Sequence, residues 1–232
     1  MSDTSLTRRP SAVVFDVNET LSDMSPMTER FTDVGVPGHL AASWFAGLLR
    51  DGFALTVTGA NPAFADLAQD SLRTLLTGQV DDVDAAVEHV MGGFTSLSLH
   101  PDVAPGTGAL ADLGLRLTTL SNGSASVAAG LLRRGGVVDR FERLLSVEDA
   151  PAWKPAGSAY AYALAELGLE PAQAVLVAVH PWDIHGAHEA GLMTAWVDRS
   201  GSPYPTCFAA PDLTVVGLPE LAARLGELPP TD

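Results

Sequence analysis

Three features of the chain together predict an α/β fold: a parallel sheet with helices on both faces, interrupted once by a helical insert. The run from Ala12 to Phe15 is continuously apolar, which is how a short strand buried on both faces reads. From Leu115 onward, short apolar runs alternate with helical patterns, as successive βα units do. The long segment between these regions carries helical periodicity and no convincing strand alternation.

The elements can be taken in order. The strand Ala12–Phe15 delivers Asp16 to its C-terminal end, where open α/β sheets place their ligands. An aspartate there can act as nucleophile, metal ligand or turn cap. In the insert, Leu40, Trp44, Phe45, Leu48 and Leu49 recur at helical spacing, and so do Phe64, Leu67, Leu72 and Leu75. Asn61-Pro62 predicts a helix start and Gly92-Gly93 a stop. The turn-rich stretch His100 to Gly106 marks the return to the sheet. Strands are then expected at Leu115–Leu120, Leu144–Val147, Ala174–Val179 and Thr194–Val197. The helices between them fall at Ser124–Arg134, Gly157–Leu167 and Ile184–Ala190. Leu213–Val216 adds an edge strand, Pro219–Leu225 a last helix, and the tail from Gly226 is expected to fray.

Composition narrows the partners. A length of 232 residues suits one large domain or a core with a smaller insert, and 47% hydrophobic with 18% charged residues is ordinary for a globular protein. The formal net charge of -15 argues against nucleic acid and anionic membranes, which select basic surfaces. A small anionic substrate needs only one local positive site. Cys207 is the single cysteine, so no internal disulfide can form and a reducing compartment fits. No apolar run approaches the ~20 residues of a membrane span. Met1 to Pro10 carries no apolar stretch of the signal-peptide kind. The expectation is a cytoplasmic protein with no nucleic-acid or membrane partner, and with a homodimer left open.

Four stretches carry chemistry. Asp16 is the first. Leu120-Ser121-Asn122-Gly123-Ser124 follows a strand and opens a helix, so backbone N–H groups and the Ser121 hydroxyl form an anion site, while Ser124 caps the helix. Lys154 is the only lysine, against 12 arginines, which points to a site that requires a compact ammonium. Val179-His180-Pro181-Trp182-Asp183 ends the next strand, and Asp183 also reads as the N-cap of the helix from Ile184. His180, His185 and His188 have no carboxylate or cysteine at a recognised metal spacing, so no metal site is expected from them.

In this order, the four stretches resemble the motifs of the haloacid dehalogenase superfamily. Phe15-Asp16 followed by Thr20-Leu21 looks like the first motif, Ser121-Asn122 the second, Lys154-Pro155 the third and Asp183 the fourth. The resemblance is closest to the 2-haloacid dehalogenases, where a tyrosine also stands where Tyr160 does. It implies a Rossmann-like core from residues 10–21 and 101–228, with residues 22–100 as a helical cap over the active site. It further implies Asp16 as nucleophile, Thr20 and Ser121 as carboxylate holders, Lys154 as counter-charge, and Asp183 as the residue that orients Lys154 or a water. Asn18, Trp44, Phe45, Asn122, Tyr160 and His180 are expected to line the substrate.

The superfamily's magnesium phosphatases place a second aspartate two positions after the nucleophile, to protonate a leaving alkoxide. Here that position holds Asn18, whose amide has no proton to give at neutral pH. The implied reaction is therefore one in which Asp16 displaces halide from C2 of a 2-haloacid, and water then opens the aspartyl ester. No metal or other cofactor is expected. Three departures bear on the substrate. Asn18 replaces an aromatic residue, His180 replaces an asparagine, and near Ser43-Trp44-Phe45 no arginine stands where the family receives halide, with Arg30 and Arg50 the nearest. Ring opening of a small cyclic imino acid is the close alternative, and a magnesium phosphatase the more distant one.

Overall fold

The computed structural model describes residues 7–230. The sequence readings that fall on residues 1–6 and 231–232 lie outside the described residues. Strands β1 (Ala12–Phe15), β2 (Arg116–Ser121), β3 (Phe141–Ser146), β4 (Ala174–Ala178), β5 (Met193–Val197) and β6 (Leu213–Val215) form one sheet in the order β3-β2-β1-β4-β5-β6. All five pairings are parallel. This is the doubly wound arrangement, and its switch point lies between β1 and β4, where neighbouring connections leave in opposite directions.

The reason β1 reads as continuously apolar is visible in its packing. Val13 and Phe15 join one buried cluster with Leu117, Val175 and Val177, while Ala12 and Val14 join the cluster on the other face. Helices α1 (Met27–Asp33), α2 (Leu40–Val57), α3 (Phe64–Leu76) and α4 (Val83–Thr95) occupy the insert. The remaining helices are α5 (Val103–Asp112), α6 (Ala125–Arg134), α7 (Gly157–Leu167), α8 (Pro181–Glu189) and α9 (Leu218–Gly226).

Several expectations need correction. Residues 100–106 are not only a turn, because α5 begins at Val103 and packs against α9. Its Gly106 lies so close to Leu218 that a Cβ there would meet the Leu218 Cβ at 2.2 Å. Gly92 and Gly93 do not end α4, which runs on to Thr95. Gly93 is instead where the Arg30 side chain passes, 2.5 Å from a hypothetical Cβ. Asp183 is not an N-cap: α8 begins two residues earlier, at Pro181, and Asp183 lies in its first turn.

Several contacts tie the insert to the sheet domain. Its incoming and outgoing strands form an antiparallel bridge between Ser22 and Leu99, reinforced by Asp23 N–H to Ser98 O at 2.8 Å and His100 N–H to Leu21 O at 2.9 Å. On the far side, Trp153 donates its indole N–H to Pro62 O at 3.0 Å and stacks on Phe64 with centroids 5.7 Å apart. Gly52 of α2 lets that indole approach, since a Cβ at residue 52 would lie 2.4 Å from the Trp153 ring. Gly52→Ala is therefore expected to wedge α2 away from Trp153 and to cost about 1–3 kcal/mol, as overpacking does. Thermal unfolding checks this, and an unchanged Tm would show that the indole moves freely.

Candidate active site

The switch point brings together residues far apart in the chain. Asp16 leaves β1, Asp183 stands on the first turn of α8 after β4, and Lys154 precedes α7. Lys154 Nζ donates to Asp16 Oδ1 at 2.9 Å and to Asp183 Oδ2 at 2.6 Å. All three side chains are buried, with Lys154 and Asp183 fully so. A charge in such a place is tolerable only when paired, and this explains why a lone ammonium sits between two carboxylates.

The surrounding hydrogen bonds fix each member. Thr20 Oγ1 donates to Asp16 Oδ2 at 2.6 Å and accepts from Val179 N–H at 3.1 Å, so it links the loop after β1 to the end of β4. Tyr160 donates its hydroxyl to Asp183 Oδ1 at 2.6 Å. Asn122 brackets the Lys154 backbone, with its Nδ2 donating to Lys154 O at 3.2 Å and its Oδ1 accepting from Lys154 N–H at 2.9 Å. Ser121 Oγ accepts from Gly123 N–H at 2.9 Å, which shapes the turn into α6. Ser124 caps that helix by accepting from Val127 N–H, as expected.

These contacts separate the two carboxylates. Burial raises the Asp16 carboxyl, but the charges of Lys154 and His180 and the Thr20 hydrogen bond outweigh it and hold it below the usual aspartate value. For Asp183, burial dominates, and the nearby Asp16 charge adds to it, so its carboxyl is pushed up despite Lys154 and Tyr160. Lys154 is held above its ordinary value, because the two carboxylates overcome the burial that would lower it. Burial, with the Asp183 charge, pushes the Tyr160 hydroxyl well up. Asp16 is thus the carboxylate whose ionised form is favoured.

A divalent cation does not fit this donor set. All four carboxylate oxygens of Asp16 and Asp183 already accept hydrogen bonds, from Lys154, Thr20 and Tyr160. Asn18 offers an amide where another oxygen anion would be wanted. Among the described residues no group of three or more His, Cys, Asp and Glu side chains is placed to hold a metal.

The family model for haloacid dehalogenase-like hydrolases matches residues 10–191. The chain belongs to this family. It is 28% identical over 218 residues to (S)-2-haloacid dehalogenase 1 of Pseudomonas sp. (strain CBS-3), covering 92% of this chain and 96% of the relative. It is 26% identical over 212 residues to haloacetate dehalogenase H-2 of Moraxella sp. (strain B), covering 90% and 94%. A crystal structure of a dehalogenase with an intermediate complex superposes with a TM-score of 0.87 at 27% identity, covering 93% of this chain and 97% of that one.

Within this hydrolase, the structure places some expected residues differently. Tyr160 does not face a substrate, because its hydroxyl is spent on Asp183, and the side chain is fully buried. The Asn122 amide is likewise spent on the Lys154 backbone. Trp44 lies inside the insert, its indole N–H donating to Ser71 Oγ at 2.9 Å and its ring against Phe31, Phe45 and Phe94. Phe45 and His180 do meet, 6.4 Å apart, and both line a 450 Å³ cleft between α1, α2 and the ends of β4 and β5. Asn18 and Ser121 line a separate cavity of 40 Å³ with Phe64 and Phe94. Neither nearby arginine replaces the absent one: Arg50 pairs with Asp51 on the surface, and Arg30 runs over Gly93. Sequence reasoning passed over Glu19, whose side chain lines the same cleft as His180. Its only sequence signal was its place next to Thr20. Among the described residues, no helix is long and apolar enough to cross a membrane.

Proposed function

We propose that this hydrolase acts at an sp3 carbon next to a carboxylate, through an aspartyl ester on Asp16, with 2-haloacids as the substrates. The observation that carries the reading is the Asp16–Lys154–Asp183 arrangement. A buried ammonium holds one oxygen of an ionised carboxylate at 2.9 Å, and the residue two places on, Asn18, cannot protonate an alkoxide. A nucleophile of this kind suits a leaving group that departs as an anion. The 2-haloacid and haloacetate dehalogenase relatives support the same reaction.

In this reading Asp16 attacks C2 from behind and expels halide, with the helices of residues 22–100 closing over the site as a cap. Asn18, Ser121 and the N–H groups opening α6 receive the substrate carboxylate. Asp183 holds Lys154 in place, and Asn122 and Tyr160 act one step back by fixing Lys154 and Asp183. Water then attacks the carbonyl carbon of the Asp16 ester and releases a 2-hydroxy acid. Opening of a strained cyclic imino acid is the second reading, favoured by the Glu19 carboxylate in the cleft, which suits a cationic nitrogen better than a halide.

The test is a screen of small 2-halo acids for halide release, beside cyclic imino acids and a chromogenic phosphate ester, each with and without EDTA. Halide release unaffected by EDTA is the expected result, since the Asp16 and Asp183 oxygens are taken up by Lys154, Thr20 and Tyr160. Magnesium-dependent phosphate release without halide release would replace this reading with a phosphatase.

A further inference from the structure

Among the described residues, Glu19 is the one residue other than glycine with a left-handed backbone, at φ 62°. Glycine adopts that conformation without penalty, and a side chain held there against its preference is a pointer to use. Two hydrogen bonds fix the peptide: Glu19 N–H donates to Ser22 Oγ at 3.2 Å, and Glu19 O lies 3.1 Å from His100 Nε2. The result is that Glu19 Oε2 stands 3.5 Å from His180 Nε2.

His180 is the link between the cleft and the nucleophile. Its Nε2 lies 3.2 Å from Asn18 O and 3.8 Å from Asp16 Oδ2. A carbonyl and two carboxylates around one ring nitrogen require that nitrogen to carry its hydrogen. His180 therefore presents an N–H beside Asp16, not the lone pair that activation of a water would need. The ring is held by stacking on Trp182, with centroids 5.0 Å apart at 19°, and from the cap it meets Phe45. The charged groups nearest it are Asp16 and Glu19, with Lys154 Nζ 5.9 Å from the Trp182 ring centroid. Asp23, His100 and Arg199 lie further along the cleft, Arg199 tied to Asp102 at 2.9 Å.

We propose that Glu19 and His180 form a hydrogen-bond-donating pair beside Asp16 that stabilises the departing halide. The substrates then extend to 2-haloacids whose halide departs poorly without a hydrogen-bond donor, fluoride above all, because its bond to carbon is the strongest of the series. This rests on the reading of Asp16 as nucleophile. An Asp16 oxygen forms a bond to C2 as the bond from C2 to the leaving atom breaks. The electron pair leaves with the halide, which departs as the anion and accepts a hydrogen bond from the His180 Nε2–H that Glu19 positions. Water then adds its hydroxide to the ester carbonyl and its other proton goes to the departing alkoxide, and the Asp16 carboxylic acid so formed releases its proton to solvent.

The test compares 2-fluoro-, 2-chloro-, 2-bromo- and 2-iodopropionate in the wild type, His180→Asn and Glu19→Gln. A hydrogen-bond donor aimed at developing negative charge is worth roughly 10²–10³-fold. Both variants should lose about 100-fold or more with fluoride and no more than about threefold with iodide. Glu19→Gly, which suits the left-handed backbone, should repeat the pattern and guards against misfolding. Equal losses along the series would overturn the pair. If the wild type releases no halide at all, the proposed function falls, and the pair is judged by ¹⁵N NMR of the histidine rings. Its support is then a protonated Nε2 on His180 whose resonance moves in Glu19→Gln; an Nε2 without a proton, or one indifferent to residue 19, would overturn it.

Discussion

Asp16→Asn is expected to reduce turnover to background. The amide is a poor nucleophile, and it also removes the charge that Lys154 and Thr20 hold from either side at 2.9 and 2.6 Å. No other carboxylate can take over. Among the described residues Asp183 is the only other acid bonded to Lys154, and it is fully buried behind the Lys154 ammonium and the Tyr160 hydroxyl. Its carboxyl is also pushed up toward the neutral form. The nucleophile can be marked directly. In a single turnover in oxygen-18 water, the label should appear in Asp16 and not in the first product, because water attacks the aspartyl carbonyl and not C2. Label in the product with none in Asp16 would mean that an activated water attacks the substrate, and Asp16 would then be its base.

Lys154→Met is expected to abolish most activity and also to weaken the fold. Two negative charges, Asp16 and an anionic substrate, must meet in a closed pocket. At ~4 Å and an effective dielectric of about 20, their repulsion is roughly 4 kcal/mol. An ammonium that offsets a quantity of this size is worth on the order of 10³-fold in rate. The structural cost follows from burial. Removing Lys154 leaves Asp16 and Asp183 without their shared counter-charge, and breaking such a buried pair costs about 3–5 kcal/mol. Turnover should therefore be measured below the lowered Tm, with circular dichroism confirming a folded variant. Lys154→Arg keeps the charge, yet it should rescue little, because a planar fork cannot fill the point between two carboxylates that a single Nζ reaches at 2.9 and 2.6 Å. Wild-type rates in the Met variant would move the counter-charge elsewhere and remove Lys154 from the site.

The sheet, and Asp16 at the end of its first strand, were readable in the sequence because their signals are local. A strand buried on both faces must be apolar throughout, so Ala12–Phe15 announced both β1 and the position of Asp16 at its end. The single lysine stood out by count, and the structure gives the reason in the narrow gap it fills. Helix α5 was obscured because its sequence, Val-Ala-Pro-Gly-Thr-Gly, is rich in residues that usually break helices. There tertiary packing overrides propensity: Gly106 is needed for the close approach to Leu218. The same holds at Gly93, where the contact is with Arg30.

By itself, the sequence determined the α/β class, the position of a helical insert, and the order of the four stretches that meet at the switch point, since each depends on periodicity or on residue type at a strand end. Only the tertiary structure decided which polar atoms face one another. It turned Tyr160 and Asn122 toward Asp183 and Lys154, and drew Trp44 into the insert. It also set Glu19 beside His180 through a backbone angle with no sequence signature. The physical reason is that a hydrogen bond is decided over tenths of an ångström between segments more than a hundred residues apart, as with Asp16 and Lys154, whereas burial of a strand is decided by its own composition.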